Sequence, residues 1–197
     1  MEAIHWIICH AHTEKDQDEN ADKENRLSAL VSNRVNELCR LRGISCEVVN
    51  IWGGRNHNPN PNMSSRDEKV LHINKVVSQE NKPVICLEIH WNGQNASPGT
   101  CILHHATSAG SKKVAHTFYK EIVPNLGMGT HYSGVIPFPS PYNEKTLQFL
   151  SQTACRAVIV EVDTIRHYEK YLWDPGLLEK VAQSIVKGIE KVHWGEL

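Results

Sequence analysis

The sequence predicts an α/β fold: a single domain built on a twisted, mainly parallel sheet of about six strands, flanked by helices on both faces. Three observations carry this. Two apolar runs, 83–87 and 156–162, are continuous enough for strands buried on both faces. Between and after them, apolar residues recur with helical period. Strand-like and helix-like segments also alternate along the chain, as they do where parallel strands are joined by helical crossovers. A chain of 197 residues, 40% apolar and 22% charged, is large enough for one core, and nothing in its composition marks a boundary within 1–197.

The elements follow in order. Residues 3–9, AIHWIIC, read as a first strand that opens at His10-Ala11-His12 into a polar loop reaching Lys23. A helix is predicted over 24–41: Leu27, Val31, Val35 and Leu38 recur at spacings of four, four and three, Leu30 and Leu41 widen the stripe, and Gly43 ends it. Carried one turn back, that stripe reaches Glu24 and misses Asp22, so Glu24 is the acid of this region that faces the sheet. A second strand spans 44–52, and the segment GGRNHNPNPNMSS after it is too rich in Gly, Asn and Pro for regular structure. Such a long loop reads as a functional rim. Val70, Ile73, Val76 and Val77 mark a helix over 65–80, which leads into the strand KPVICLEIHWNG. Residues 100–105 form another strand, and 108–122 a helix. The Pro-rich, aromatic segment IPFPSPYN reads as a loop, 144–152 as a short helix and 156–162, RAVIVEV, as a buried strand. A closing helix over 175–192 carries Leu178, Val181, Ile185, Ile189 and Val192 on one side.

Charge and cysteine usage narrow the partners. A formal charge of -1, with no extended Lys/Arg cluster, argues against nucleic acid. No run has membrane-spanning length, and the start Met1-Glu2-Ala3-Ile4-His5 lacks the basic and apolar regions of a secretory signal. The expectation is a monomer, cytoplasmic as synthesised and without membrane contact. The six cysteines, Cys9, Cys39, Cys46, Cys86, Cys101 and Cys155, stand singly in or beside apolar stretches and read as free, buried thiols. Of the twelve histidines, His57, His72, His116, His167 and His193 fall without pattern and read as surface or ordinary core residues.

The remaining polar residues gather at strand ends. In the third strand an apolar run, Pro83 to Leu87, gives way to Glu88-Ile89-His90-Trp91-Asn92, with Glu88 and His90 on one face. Glu161 repeats the pattern at the polar end of RAVIVEV, where a carboxylate needs a cation or nearby water. Open α/β sheets place ligands at strand carboxyl ends, and three such ends carry His12, His90 and Glu161, with Glu24 beside them. Two histidines and a glutamate are a standard catalytic zinc set, which His12, Glu24 and His90 supply, leaving Glu161 to move protons. His10 competes with His12, because residues two apart on an extended segment share a face.

These segments resemble the zinc-dependent N-acetylmuramoyl-L-alanine amidases of autolysins and phage endolysins. That family runs from a first strand into Gly-His, a Glu opening a helix closed by Gly, a strand ending Ser-Ile-His-x-Asn, and a strand ending Leu-x-Glu. Ala11-His12, Glu24 with Gly43, Glu88-Ile89-His90-Trp91-Asn92 and Ile159-Val160-Glu161 stand in those places, and Gly99-Thr100 matches the glycine and strand that follow the second histidine. The motif match favours His12 over His10. Ala11 for glycine and Glu88 for serine are departures, as is the lack of arginine in 129–133; they bear on substrate approach, metal tuning and the glycopeptide contacted.

The resemblance implies one Zn2+ per chain and hydrolysis of the amide between N-acetylmuramic acid and L-alanine in peptidoglycan, with cell wall degradation after release if the protein is a lysis enzyme. Asn92, Asn95 and Trp91, with loops 53–62 and 137–143, would form the substrate rim, where Trp52, Phe138 and Tyr142 could also stack. Two other readings stay open. A cytoplasmic zinc amidohydrolase for a small N-acyl amino acid would need an arginine for the substrate carboxylate, and Arg55, Arg66, Arg156 and Arg166 are available. A non-catalytic cell-wall-binding domain would have no need of Glu161. No separate wall-binding module is expected.

Overall fold

In the computed structural model, residues 3–12, 19–49, 66–139 and 147–195 are described. Six strands form one sheet: β1 (His5–His10), β2 (Cys46–Val49), β3 (Val84–Asn92), β4 (Thr100–His105), β5 (Thr130–Phe138) and β6 (Arg156–Thr164), in the spatial order β2-β1-β3-β6-β4-β5. All neighbours are parallel except β4 and β6, which run antiparallel. The helices are α1 (Glu19–Leu41), α2 (Arg66–Gln79), α3 (Ala109–Leu126), α4 (Gln148–Gln152), α5 (Tyr168–Trp173) and α6 (Pro175–His193).

Strand alternation divides the core in two. Trp6, Ile8, Ile85, Leu87, Ile89, Val158 and Val160 point to the face covered by α1, α3, α5 and α6. Ile7, Cys9, Cys86, Ala157 and Ile159 point to the other, where Ile73 of α2 and Phe149 and Leu150 of α4 close over them. The thicker first layer carries the largest buried rings, Trp6, Trp91, Tyr171 and Phe118, and the thinner second layer leaves room for a cleft. The chain passes from β1 to β2 on one side and then crosses back to β3 on the other. The carboxyl ends of β1 and β3 thus flank the point where strand order reverses, which is where such sheets bind ligands.

Several elements differ from the sequence expectation. Helix α1 begins at Glu19, so Glu24 lies in its second turn and does not start it. The extra turn is polar, with Glu19 and Asp22 near the amino terminus and a Glu19–Lys23 ion pair, so it carries no apolar stripe to read. Part of the predicted loop 136–143 is the end of β5. This edge strand tolerates Pro137 because one side needs no partner, and Gly134 at φ +78 interrupts its pattern. Helix α3 passes Ile122 and takes in Pro124 in its last turn before Gly127 caps it at φ +68. Helix α5 is an addition. Trp52, Arg55, His57 and Tyr142 lie outside the described residues, as does the loop 53–62. No helix among the described residues is long and apolar enough to cross a membrane.

All six thiols are free, including Cys86 and Cys155, whose sulfurs lie 2.8 Å apart. Gly99, which precedes β4, has φ +126, and a Cβ there would come within 2.7 Å of the Thr130 carbonyl carbon. Gly99→Ala should therefore lose at least about 1 kcal/mol of stability through backbone strain alone. Urea unfolding should show a lower midpoint at unchanged slope; an unaltered midpoint would mean the β4–β5 junction yields without cost.

Candidate active site

The site forms where α1 crosses the ends of β1 and β3. Three polar residues of α1 that interrupt its apolar stripe do the joining: Glu24, Asn25 and Ser28, all buried. The Asn25 side-chain amide donates to the Ala11 carbonyl at 2.6 Å. Ser28 Oγ accepts from the Ala11 N–H at 2.9 Å and donates to the Ile89 carbonyl at 2.7 Å. One helical face thus satisfies the backbone of both strands just before each histidine. At His12 the chain then turns with φ +57, a conformation uncommon outside glycine but one that histidine visits more than most residues.

That turn aims the His12 ring at Glu24. His12 Nε2 lies 2.6 Å from Glu24 Oε2, and His90 Nδ1 lies 2.7 Å from Glu24 Oε1, which also accepts the Trp91 backbone N–H at 2.9 Å. The two rings meet edge on, with centroids 5.2 Å apart. Ligand atoms of His12, Glu24 and His90 all fall within 4.8 Å of one another. Two imidazole nitrogens and a carboxylate oxygen converging at that range fit a catalytic zinc in chemistry and number. Burial favours the neutral form of Glu24, but the imidazoles of His90 and His12 overcome it and hold the carboxyl down at about 2. His10 is buried on the strand face opposite His90 and stands apart from this cluster.

Beyond the three, a cleft of about 220 Å³ opens between α2 and α4, lined by His12, Lys69, Glu88, His90, Phe149 and Glu161 among others. Glu161 stands opposite His90 in the β3–β6 register. Its Oε2 is closed off from solvent and has no hydrogen-bond partner among the described residues. Burial pushes this carboxyl up to about 7; His90 opposes the rise, and the charges of Glu24 and Glu88 add to it. A carboxyl raised to that range can take and return a proton near neutral pH.

Glu88 and Lys69 are the polar pair that sequence reasoning underused. Lys69, from α2, is buried and ion-paired to Glu88, whose other oxygen lies 3.1 Å from His90 Nε2. A lysine in a helix reads as solvated, and only its proximity to the Glu88 strand in the fold shows otherwise. Among the expected rim residues, Asn92 is half-buried with its amide 3.9 Å from Cys101 Sγ, and Asn95 is exposed on the following turn. Trp91 is corrected: one residue from His90, it points to the opposite face, is 1% exposed, and packs edge on against Tyr171 at 5.6 Å. It stacks on core, not on a substrate. Phe138 is half-buried against the α2-side core. Neither Arg156 nor Arg166 lines the cleft, Arg55 is outside the described residues and so is the Arg66 side chain.

A second acid of β6, Asp163, lies two residues beyond Glu161 on the same strand face and is committed elsewhere. It accepts from the Gly99 N–H at 3.1 Å, the Tyr171 hydroxyl at 3.1 Å and His167 Nδ1 at 2.8 Å. Burial raises its carboxyl, but the bonds from His167 and Gly99 outweigh it and leave the group below the usual aspartate value. A folded-state value below the unfolded one of about 3.9 means stabilisation that is present above that pH and fades as the pH falls through the folded value. Asp163→Asn should thus cost about 1–3 kcal/mol at neutral pH, and the gap from the wild type should close in acid. Parallel urea melts across pH would show it; a gap independent of pH would contradict the assignment.

Residues 7–191 match the profile of a family described as N-acetylmuramoyl-L-alanine amidase. Among solved structures, an N-acetylmuramoyl-L-alanine amidase from Clostridium difficile 630 superposes with a TM-score of 0.74 at 15% identity, over 100% of both chains. The catalytic domain of CwlV, an amidase of the same name from Bacillus (Paenibacillus) polymyxa var. colistinus, gives 0.71 at 20% identity, over 96% of this chain and 97% of that one. The catalytic domain of the CD27L endolysin, which targets Clostridia difficile, gives 0.67 at 18%, over 96% and 97%. A sequence comparison with curated proteins returns no significant match.

Proposed function

The chain belongs to the N-acetylmuramoyl-L-alanine amidase family, and we propose that it carries out this family's hydrolysis at a single zinc ion held by His12, Glu24 and His90, with Glu161 as the proton-transferring group. The reaction is cleavage of the amide bond between N-acetylmuramic acid and the L-alanine of the stem peptide, and the substrate is peptidoglycan. The observation that carries the residue assignment is the convergence of three ligand atoms within 4.8 Å, with Glu161 beside His90 on the neighbouring strand.

Zinc in a set of two histidines and one carboxylate supplies a nucleophile at neutral pH and polarises the scissile carbonyl. The chain's own groups do the rest. Glu24, ionised even when buried, contributes the negative charge that a divalent cation needs, and the Trp91 backbone N–H that it accepts fixes the orientation of its carboxylate. Glu161 accepts a proton from the attacking water and delivers it to the departing alanine nitrogen, so that a neutral amine leaves. Its unpartnered Oε2 is the acceptor this requires. The apolar wall of Val70, Leu147, Phe149 and Ile159 keeps bulk water from competing. Asn95, exposed next to the strand end, is placed to meet the glycopeptide. A small N-acyl amino acid is a poorer fit, because among the described residues the cation lining the cleft is Lys69, already paired with Glu88.

Purified peptidoglycan incubated with the protein should gain alanine amino termini without gaining reducing sugar ends. Reducing ends would point to a glycosidase, and neither product would leave this reading without support. Glu161→Gln keeps the shape and removes the base, so it should bind zinc at one per chain and release amino termini at least roughly a hundredfold more slowly. If that variant comes out free of zinc, Glu161 is a ligand and the role given to Glu24 is wrong.

A further inference from the structure

The geometry points to the buried pair Lys69 and Glu88 as positioning residues for the proposed metal centre, fixing His90 so that Nε2 carries the proton and Nδ1 offers its lone pair to the metal. The inference rests on the zinc reading above and goes beyond it, since it concerns residues that hold no metal.

The argument starts from cost. Lys69 is 3% exposed and Glu88 5%, so two charges have been taken out of water, an arrangement that two apolar residues would often match or better in stability. Their contacts reach toward the site. Lys69 Nζ donates to one oxygen of Glu88 and to the His10 carbonyl at 3.1 Å, just before the chain turns to His12. The other oxygen of Glu88 lies 3.1 Å from His90 Nε2. One ammonium group therefore touches both strands that bring a histidine to Glu24. The third side of Lys69 is closed by the Phe149 ring, 5.9 Å from Nζ, which leaves Glu88 and the His10 carbonyl as its described polar partners.

The consequence for His90 is a matter of donors and acceptors. A neutral imidazole has one N–H and one lone pair. Without metal, Nδ1 is the nitrogen that donates, to the ionised Glu24 at 2.7 Å, while Nε2 stands 3.1 Å from the Glu88 carboxylate in an ion-pair contact short of a formed hydrogen bond. A metal at Nδ1 takes the place of that proton, and the one N–H left to the ring is then at Nε2, toward Glu88. Metal-binding histidines commonly have such an outer partner, and losing it typically weakens metal binding about 10- to 100-fold. Here the partner is a full carboxylate, and Lys69 balances its charge so that the net charge brought to the site by the pair is zero.

Two measurements test this. In zinc-loaded wild-type protein, long-range proton–nitrogen correlation spectra should show His90 with a protonated Nε2 and a metal-bound Nδ1; the opposite pattern overturns the inference and leaves the zinc reading standing. The double variant Lys69→Met/Glu88→Gln strands no charge. Circular dichroism should show it folded without metal, and competition with a chromophoric chelator should show zinc bound about 10- to 100-fold more weakly than in the wild type. A folded double variant with wild-type zinc affinity overturns the inference alone. If the double variant does not fold, the wild-type spectra decide. A wild type that takes up no zinc overturns the zinc reading and this inference with it.

Discussion

The arrangement depends on one buried carboxylate. Glu24 is 6% exposed at the meeting of α1, β1 and β3, where an isolated charge would cost several kcal/mol. It is kept ionised because each oxygen meets an imidazole and one also meets a backbone N–H. Remove it, and two ring nitrogens lose the acceptor they share. Helix α1 therefore serves as a brace, carrying the acid on the same face as the Asn25 and Ser28 side chains that tie down the strand ends. The unusual backbone at His12 persists because both residues before it are held by α1 and α2.

The charges around the site are graded by what faces them. Glu24 and Glu88 are both held at about 2, each against burial, by cationic or donor groups next to them. Glu161, a neighbour in the same cleft, lacks such partners, and burial raises it to about 7. Three glutamates in one region are thus set apart by environment alone, in the way the proposed roles of ligand, support and proton carrier require. A cation placed between His12, Glu24 and His90 would draw Glu161 toward its ionised form, the form a general base needs.

Much of this was legible in the sequence, and the reasons for the rest are physical. His90 and Glu161 stood out because each ends an apolar strand with an abrupt polar residue, a local signal that needs no knowledge of packing. Glu24 was found by extending the period of α1, which survives even though the helix starts five residues earlier at Glu19. Strand β5 was hidden because an edge strand accepts the proline and glycine that forbid a central one. Lys69 could not be read, because its burial comes from a strand nineteen residues away in the chain. Strand parity alone already places Trp91 off the rim, since the alternation that puts Glu88 and His90 together puts Trp91 on the other face.

Everything above turns on whether His12, Glu24 and His90 hold the metal. A crystal structure of the zinc-loaded protein, with anomalous data collected on both sides of the zinc edge, tests it most directly. The account predicts one peak per chain, about 2.0–2.2 Å from His12 Nε2, a Glu24 oxygen and His90 Nδ1, with Glu161 near but not bound. A peak with His10 or Glu161 among its ligands, or one lying away from the ends of β1 and β3, would contradict it.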